Sequence, residues 1–231
     1  LMIKFLETYP KELESIDIKD IHSLLGGPTL IHLKGDDETG DNLFLSTLLH
    51  GNETTSFLVL QRILREISSG EFKLGRGLII FIGITLASSK GLRHLPDQVD
   101  YNRIWEKGSS AENNMVDELF NYLKPYKLFA SIDIHNNTGK NPHYGCINSL
   151  DRKYLELARY FGEHTVYFTE PHNVQSMAFS KICPSTTIEA GLPGEKKGVD
   201  ASYEFVKKVY QLDVLGELPT TGEEQHVYHT I

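Results

Sequence analysis

His50-Gly51-Asn52-Glu53 sits between a nearly continuous apolar stretch, Leu43 to Leu49, and a segment with apolar residues at Phe57, Leu60, Leu64 and Ile67. The first predicts a strand and the second a helix starting near Thr54. A His and a Glu three apart at such a junction can turn a neutral imidazole and a carboxylate toward one point, which is what Zn²⁺ requires of two protein ligands. The same pair has a plain reading as a helix N-terminus, where the macrodipole favours Glu53. Three later segments carry further chemistry. Ser131-Ile132-Asp133-Ile134-His135-Asn136 closes an apolar stretch that starts at Leu128. Ligands bind beyond strand C-termini in open α/β sheets, so His135 is a candidate third ligand. Read alone, it is a hydrogen-bonded histidine before an ordinary turn. Thr186-Thr187-Ile188-Glu189-Ala190-Gly191 ends a β-branched run on an acid with little propensity for a strand. Placed beside a metal, Glu189 can take the proton from a water. Asp100-Tyr101-Asn102-Arg103, preceded by Arg93, adds two cations and an amide. The planar fork of Arg suits a carboxylate, so these residues suggest an anionic substrate.

In chain order these pieces resemble the zinc carboxypeptidase superfamily, most closely its aspartoacylase and succinylglutamate desuccinylase branch. That branch reads H-G-N-E, an Arg, D-L-N-R, D-x-H-N, then E-x-G after a β-branched strand. The corresponding pieces are His50 to Glu53, Arg93, Asp100 to Arg103, Asp133 to Asn136, and Glu189 to Gly191. The resemblance implies that His50, Glu53 and His135 hold one zinc per chain and that Glu189 is the general base. It also implies that Arg93 polarises the scissile carbonyl, while Asn102 and Arg103 bind the substrate carboxylate. The chain departs from the pattern at Tyr101, where Leu is usual, and at Leu49, where a small residue often precedes the His. The branch tends to carry a basic residue some ten positions before the catalytic Glu. Phe179 stands there, with Lys181 the nearest cation, a departure that bears on dicarboxylate specificity. Asp133 is open to two readings, orienting a ligand or cation, or serving as a plain structural carboxylate.

The elements that must position these residues alternate. Residues 11 to 25 carry a mixed helical pattern, broken at Gly26-Gly27-Pro28 before a strand at Thr29 to Leu33. Asp36 to Asp41 reads as a polar hairpin loop. After the strand and helix flanking His50 come a strand at Gly77 to Ile84 and an aperiodic polar segment from Ala87 to Ser110, of the kind that is usually functional. The spacing then predicts helix Ala111 to Leu123, strand Leu128 to Ile134, helix Asp151 to Phe161, and strands Thr165 to Phe168 and Thr186 to Glu189. Helix Val199 to Leu215 follows, with a strand beginning at His226. This order predicts an α/β fold: three layers, a mostly parallel mixed sheet with helices on both faces. His226 and His229, three apart on a strand, would face opposite sides and read as surface residues. His143, Tyr144 and Tyr167 are open between the rim of the site and the core.

At 231 residues and 40% apolar composition, the chain suits a single α/β catalytic domain over residues 1–231. The branch's C-terminal β domain is expected to be absent or cut short after about residue 220. A net charge of −8 argues against nucleic acid or an anionic membrane as partner. No window approaches eighteen apolar residues, and no secretory signal is visible, although Leu1 ahead of Met2 leaves a removed leader open. Cys146 and Cys183 are too few for a disulfide framework, so a reducing cytoplasm and two free thiols are expected. A homo-oligomer is compatible with the sequence. The expected function is zinc-dependent hydrolysis of an amide or ester near a free carboxylate, in a small anionic substrate such as an N-acyl amino acid or a peptide C-terminus. The alternatives are a carboxypeptidase-like metallopeptidase and, in another class, a non-catalytic zinc-binding module.

Overall fold

In the computed structural model, which describes residues 2–36, 40–139, 141–217 and 225–230, the apolar runs pair into one nine-stranded sheet. Its strands are β1 (Lys4–Leu6), β2 (Thr29–Leu33), β3 (Asp41–Thr47), β4 (Gly77–Ile82), β5 (Lys127–His135), β6 (Tyr144–Ile147), β7 (His164–Tyr167), β8 (Ser185–Glu189) and β9 (His226–His229). The spatial order is β1-β2-β4-β3-β5-β8-β6-β7-β9. Only β2–β4 and β6–β8 are antiparallel pairs among the described residues, so the sheet is mixed and mostly parallel. The helices are α1 (Ile21–Leu25), α2 (Thr55–Ser69), α3 (Thr85–Ser88), α4 (Ala111–Leu123), α5 (Arg152–Arg159), α6 (Gln175–Phe179) and α7 (Lys196–Gln211). None is long and apolar enough to cross a membrane.

Strand alternation sorts the two cores. Leu43 and Leu45 of β3, with Ala130, Ile132 and Ile134 of β5, pack under α1, α2, α5 and α7. Phe44 points to the other face, where α3, α4 and α6 contribute Ala87, Leu119 and Phe179. On that second face the central strands turn polar toward their C-terminal ends, with Ser131, Asp133 and His135 on β5 and Ser185, Thr187 and Glu189 on β8. The paired register of β5 and β8 sets His135 beside Glu189.

Several elements differ from the sequence-based expectation. Residues 11–25 form two short 3-10 turns and the five-residue α1, because Asp17 caps a fresh start by accepting from the Lys19 backbone N–H. The strand expected through Leu49 stops at Thr47, since Leu48 turns the chain with φ of 54°. Strand β6 and helix α6 were not legible, each being only four or five residues long. Of the expected hairpin loop, Asp37 to Thr39 lie outside the described residues.

Gly51 fixes how the His50 turn meets the segment after α3. A Cβ there would fall 2.5 Å from the Ser88 backbone nitrogen and 2.8 Å from the Ala87 carbonyl carbon, and closer still to the Leu92 carbonyl oxygen. These are backbone atoms and cannot swing aside. Gly51→Ala is therefore expected to cost about 1–3 kcal/mol in urea unfolding. Wild-type stability in that variant would show that the close approach does not exist.

Candidate metal centre

The parallel β3 and β5 end side by side, and each feeds a histidine into the space beyond the sheet. His50 follows the Leu48 turn, Glu53 precedes α2, and His135 is the last residue of β5, all three buried. One donor atom from each lies within 4.8 Å of the others. The carboxylate is the hub, with Glu53 Oε1 2.8 Å from His50 Nδ1 and Oε2 2.9 Å from His135 Nδ1. The Asn136 backbone N–H also donates to Oε2 at 2.9 Å.

The far side of each imidazole is occupied by a carboxylate. His135 Nε2 is 2.7 Å from Asp133 Oδ2, and His50 Nε2 is 3.0 Å from Asp100 Oδ1. Rings that donate Nε2–H to those acids present their Nδ1 lone pairs to Glu53, the tautomer a metal ligand needs. Lone pairs facing an anion repel unless a proton or a cation lies between them. The donor set fits a small divalent cation of the zinc type, with two imidazoles, one carboxylate and a carboxylate behind each ring. Arg93 Nη2 lies 2.7 Å from His50 Nε2 and competes with Asp100 for it. Metal ligation through Nδ1 selects the Asp100 partner.

The proton affinities carry the same signature. Burial alone would lower the His135 imidazole, but Asp133 and Glu53 on either side hold it well above the ordinary histidine range. Burial alone would raise Glu53, and the two imidazoles reverse this and hold it well below the carboxylate range. Asp100 is likewise held low, with hydrogen bonds from His50, the Asn102 backbone and Arg93 outweighing burial. Glu189 goes the other way. Burial lifts it, and the Glu53 and Asp133 charges add to this against the pull of His135 and the Asn137 amide.

The remaining expected site residues divide. Arg93 sits at the rim, with Nη2 3.0 Å from Asp100 Oδ2 and Nη1 3.4 Å from Glu53 Oε1. The Asn102 amide is buried, its Oδ1 accepting from the Gln175 N–H at 2.9 Å and its Nδ2 3.3 Å from His135 Nε2. Arg103 is exposed and donates to the Asn102 carbonyl at 2.6 Å, with no carboxylate partner among the described residues. Tyr144 stands across the β6–β8 pair from Glu189. Tyr167 falls on the opposite face from Tyr144 by register and packs on His229, while His143 stacks on Phe161. His226 and His229 are exposed, as expected. Phe179 is fully buried, and Lys181 precedes the start of β8, at the end of the sheet away from Glu189.

Two roles were missed in the sequence. Asp100 enters the sequence pattern only as part of a motif, yet it braces both His50 and Arg93. Asn136 ties three segments together, donating from its backbone to Glu53, donating from Nδ2 to the Gly191 carbonyl at 2.8 Å and accepting from the Thr55 N–H at 3.3 Å. The D-x-N and H-N spacings were the available signals, but neither says which distant group is reached.

The profile of the succinylglutamate desuccinylase/aspartoacylase catalytic domain matches residues 39–214. A succinylglutamate desuccinylase of Pseudomonas paraeruginosa is 32% identical over 103 residues, 43% of this chain and 30% of the relative. The matched stretch thus spans about a third of the length of such curated relatives. The crystal structure of a succinylglutamate desuccinylase from Chromobacterium violaceum superposes with a TM-score of 0.67 at 20% identity, covering 87% of this chain and 69% of that one. A succinylglutamate desuccinylase/aspartoacylase structure from Rhodobacter sphaeroides gives 0.64 at 18% identity, over 86% and 64%.

Dialysed protein is expected to retain close to one zinc by elemental analysis, and His135→Ala to lose most of it; undiminished zinc in that variant would contradict the assignment. Asp100→Asn is expected to weaken zinc binding by about 10- to 100-fold without unfolding the chain. Because His135 holds its proton above the usual range in the metal-free protein, zinc must displace that proton. Affinity should therefore still rise with pH above 7, read as proton release in calorimetry run in two buffers.

Proposed function

The chain belongs to the succinylglutamate desuccinylase/aspartoacylase catalytic-domain family, and from that premise we propose that it is a zinc-dependent hydrolase removing the acyl group from an N-acyl amino acid. The observation that carries this reading is the convergence of His50 and His135 on Glu53 with Glu189 paired beside His135. A zinc ion held by His50, Glu53 and His135 would supply Lewis acidity, bringing the pKa of a water toward about 7 and polarising a carbonyl.

The chain's own residues then divide the work. Glu189, half-buried and with raised proton affinity, accepts the proton of the attacking water and returns it to the leaving amine. Arg93, at the rim beside His50, faces the oxygen where negative charge develops. Arg103 has no acid of its own among the described residues and is the fork for the substrate carboxylate. Asn102, whose Nδ2 lies beside His135, steadies the same group with its amide hydrogens. No covalent intermediate is required. Asp133 orients His135, which favours the first of its two readings. A single catalytic domain in a reducing cytoplasm fits the one continuous sheet and the two unpaired cysteines. A carboxypeptidase-like enzyme would use the same residues, whereas a non-catalytic zinc module would have no use for Glu189.

Glu189→Gln is expected to reduce turnover of an N-acyl amino acid by about 10²- to 10⁴-fold with zinc content unchanged. The wild type should lose activity as pH falls through a value above the ordinary glutamate range, because the base must be deprotonated. Retention of most activity would remove Glu189 from the role. Amidating the substrate carboxylate should lower kcat/KM by about tenfold, a modest factor because Arg103 is exposed, and Arg103→Ala should erase the difference. Equal hydrolysis of acid and amide by the wild type would end the carboxylate-fork role. Rates that rise as residues are added before the scissile bond would indicate the carboxypeptidase.

A further inference from the structure

Each strand carrying a residue of the metal site has its other end at the opposite pole of the sheet. The starts of β3 and β5 and the turn leading into β8 surround a cavity of about 790 Å³. From Lys127 to His135 the strand alone spans roughly 26 Å, so the cavity is separate from the metal centre. Its volume lies in the range of small-molecule sites, about 300–1,000 Å³.

The lining has two parts. Phe120, Leu128, Phe129, Ile182, Cys183 and Leu215 form an apolar floor and wall. Phe129 is there because of a bulge. Asn42 pairs with Leu128 and Leu43 with Ala130, which leaves Phe129 as the extra residue of β5. The Arg76 guanidinium sits 3.7 Å over the Phe129 ring centroid. Ile182 and Val214, at the edge, are 53% and 44% exposed. The second part is ionic: Lys124, Lys127 and Lys153 against Asp41 and Asp213. Lys127 pairs with Asp41 at 2.7 Å, and Lys124 donates to the neutral Asn121 Oδ1 at 2.7 Å. The Lys153 ammonium has no acidic partner among the described residues. In a chain of net charge −8, this rim carries a local excess of positive charge.

The geometry points to a second ligand site here, one that takes an amphipathic anion: an alkyl chain on the apolar floor with a single carboxylate at Lys124 and Lys153. Charge complementarity selects the head group and the bulged aromatic wall selects the tail. The site is independent of the reading of the metal centre. It has a built-in reporter, because the chain's single tryptophan, Trp105, packs edge-on to Phe120 with ring centroids 6.2 Å apart.

The test titrates decanoate into the full chain by calorimetry and Trp105 fluorescence, with decyltrimethylammonium as the control of opposite charge. Saturable binding of one decanoate with a fluorescence change is expected, together with at least about tenfold weaker binding of the cation. Lys124→Glu/Lys153→Glu, both at exposed positions, should weaken decanoate by about tenfold. Ile182→Asp should weaken it as well, with circular dichroism confirming that both variants fold. Arg103→Ala and Glu189→Gln should leave it unchanged. No saturable binding, equal binding of the cation, or loss in Arg103→Ala with indifference to the lysine variants would each overturn the proposal. A dimer in sedimentation that Ile182→Asp breaks and decanoate does not affect would also overturn it, by making the face a contact between copies.

Discussion

One buried carboxylate facing two imidazoles is the constraint on which the rest of the site depends. Glu53 approaches His50 Nδ1 and His135 Nδ1 at 2.8 and 2.9 Å, and Asp100 and Asp133 bind the far nitrogens of the same two rings. Buried charges are tolerated only where they are paired. Without a cation, the three central groups need extra protons on the rings, and the raised affinity of His135 expresses that need. A divalent metal satisfies the same lone pairs with no proton at all. Glu189 shares the neighbourhood and feels the same crowding of acids, which holds its proton affinity up where a base for water needs it.

The scaffold exists to deliver those groups to one end of a sheet. Parallel pairing of β3, β5 and β8 brings three C-termini together, and the register sets His135 beside Glu189. The turn after β3 is where regular structure gives way. Leu48 takes a positive φ that non-glycine residues rarely adopt, and Gly51 lets the chain pass close against the segment following α3. That approach also carries Arg93, whose carbonyl accepts from the Gly51 N–H at 2.9 Å. The spacing of the candidate ligands and the backbone irregularity are thus located in the same few residues.

Much of this was legible in the sequence because it is local. The H-G-N-E run, the acid ending a β-branched strand and the alternation of apolar segments each follow from residue type and spacing, and the sheet bears out the α/β expectation. What was not legible is non-local. Asp100 reaches back fifty positions to His50, and Asn136 bridges Glu53 to Gly191, contacts that no periodicity encodes. Strand β6 is too short, and too interrupted by Gly145, to carry a pattern, yet it sets Tyr144 against Glu189. Phe179 and Lys181 show the same limit. The resembled branch tends to carry a cation at that distance before the Glu, whereas here the phenylalanine fills the core and the nearest lysine lies at the other end of β8.

The central claim is that Glu53 gathers two imidazoles through Nδ1 so that one zinc replaces the protons between them. An anomalous difference map at the zinc edge from crystals of the zinc-loaded chain tests this directly. The account requires one strong peak in contact with His50 Nδ1, His135 Nδ1 and the Glu53 carboxylate, with Asp100 and Asp133 still on the Nε2 atoms. A peak held through either Nε2, or bound away from Glu53, would contradict it.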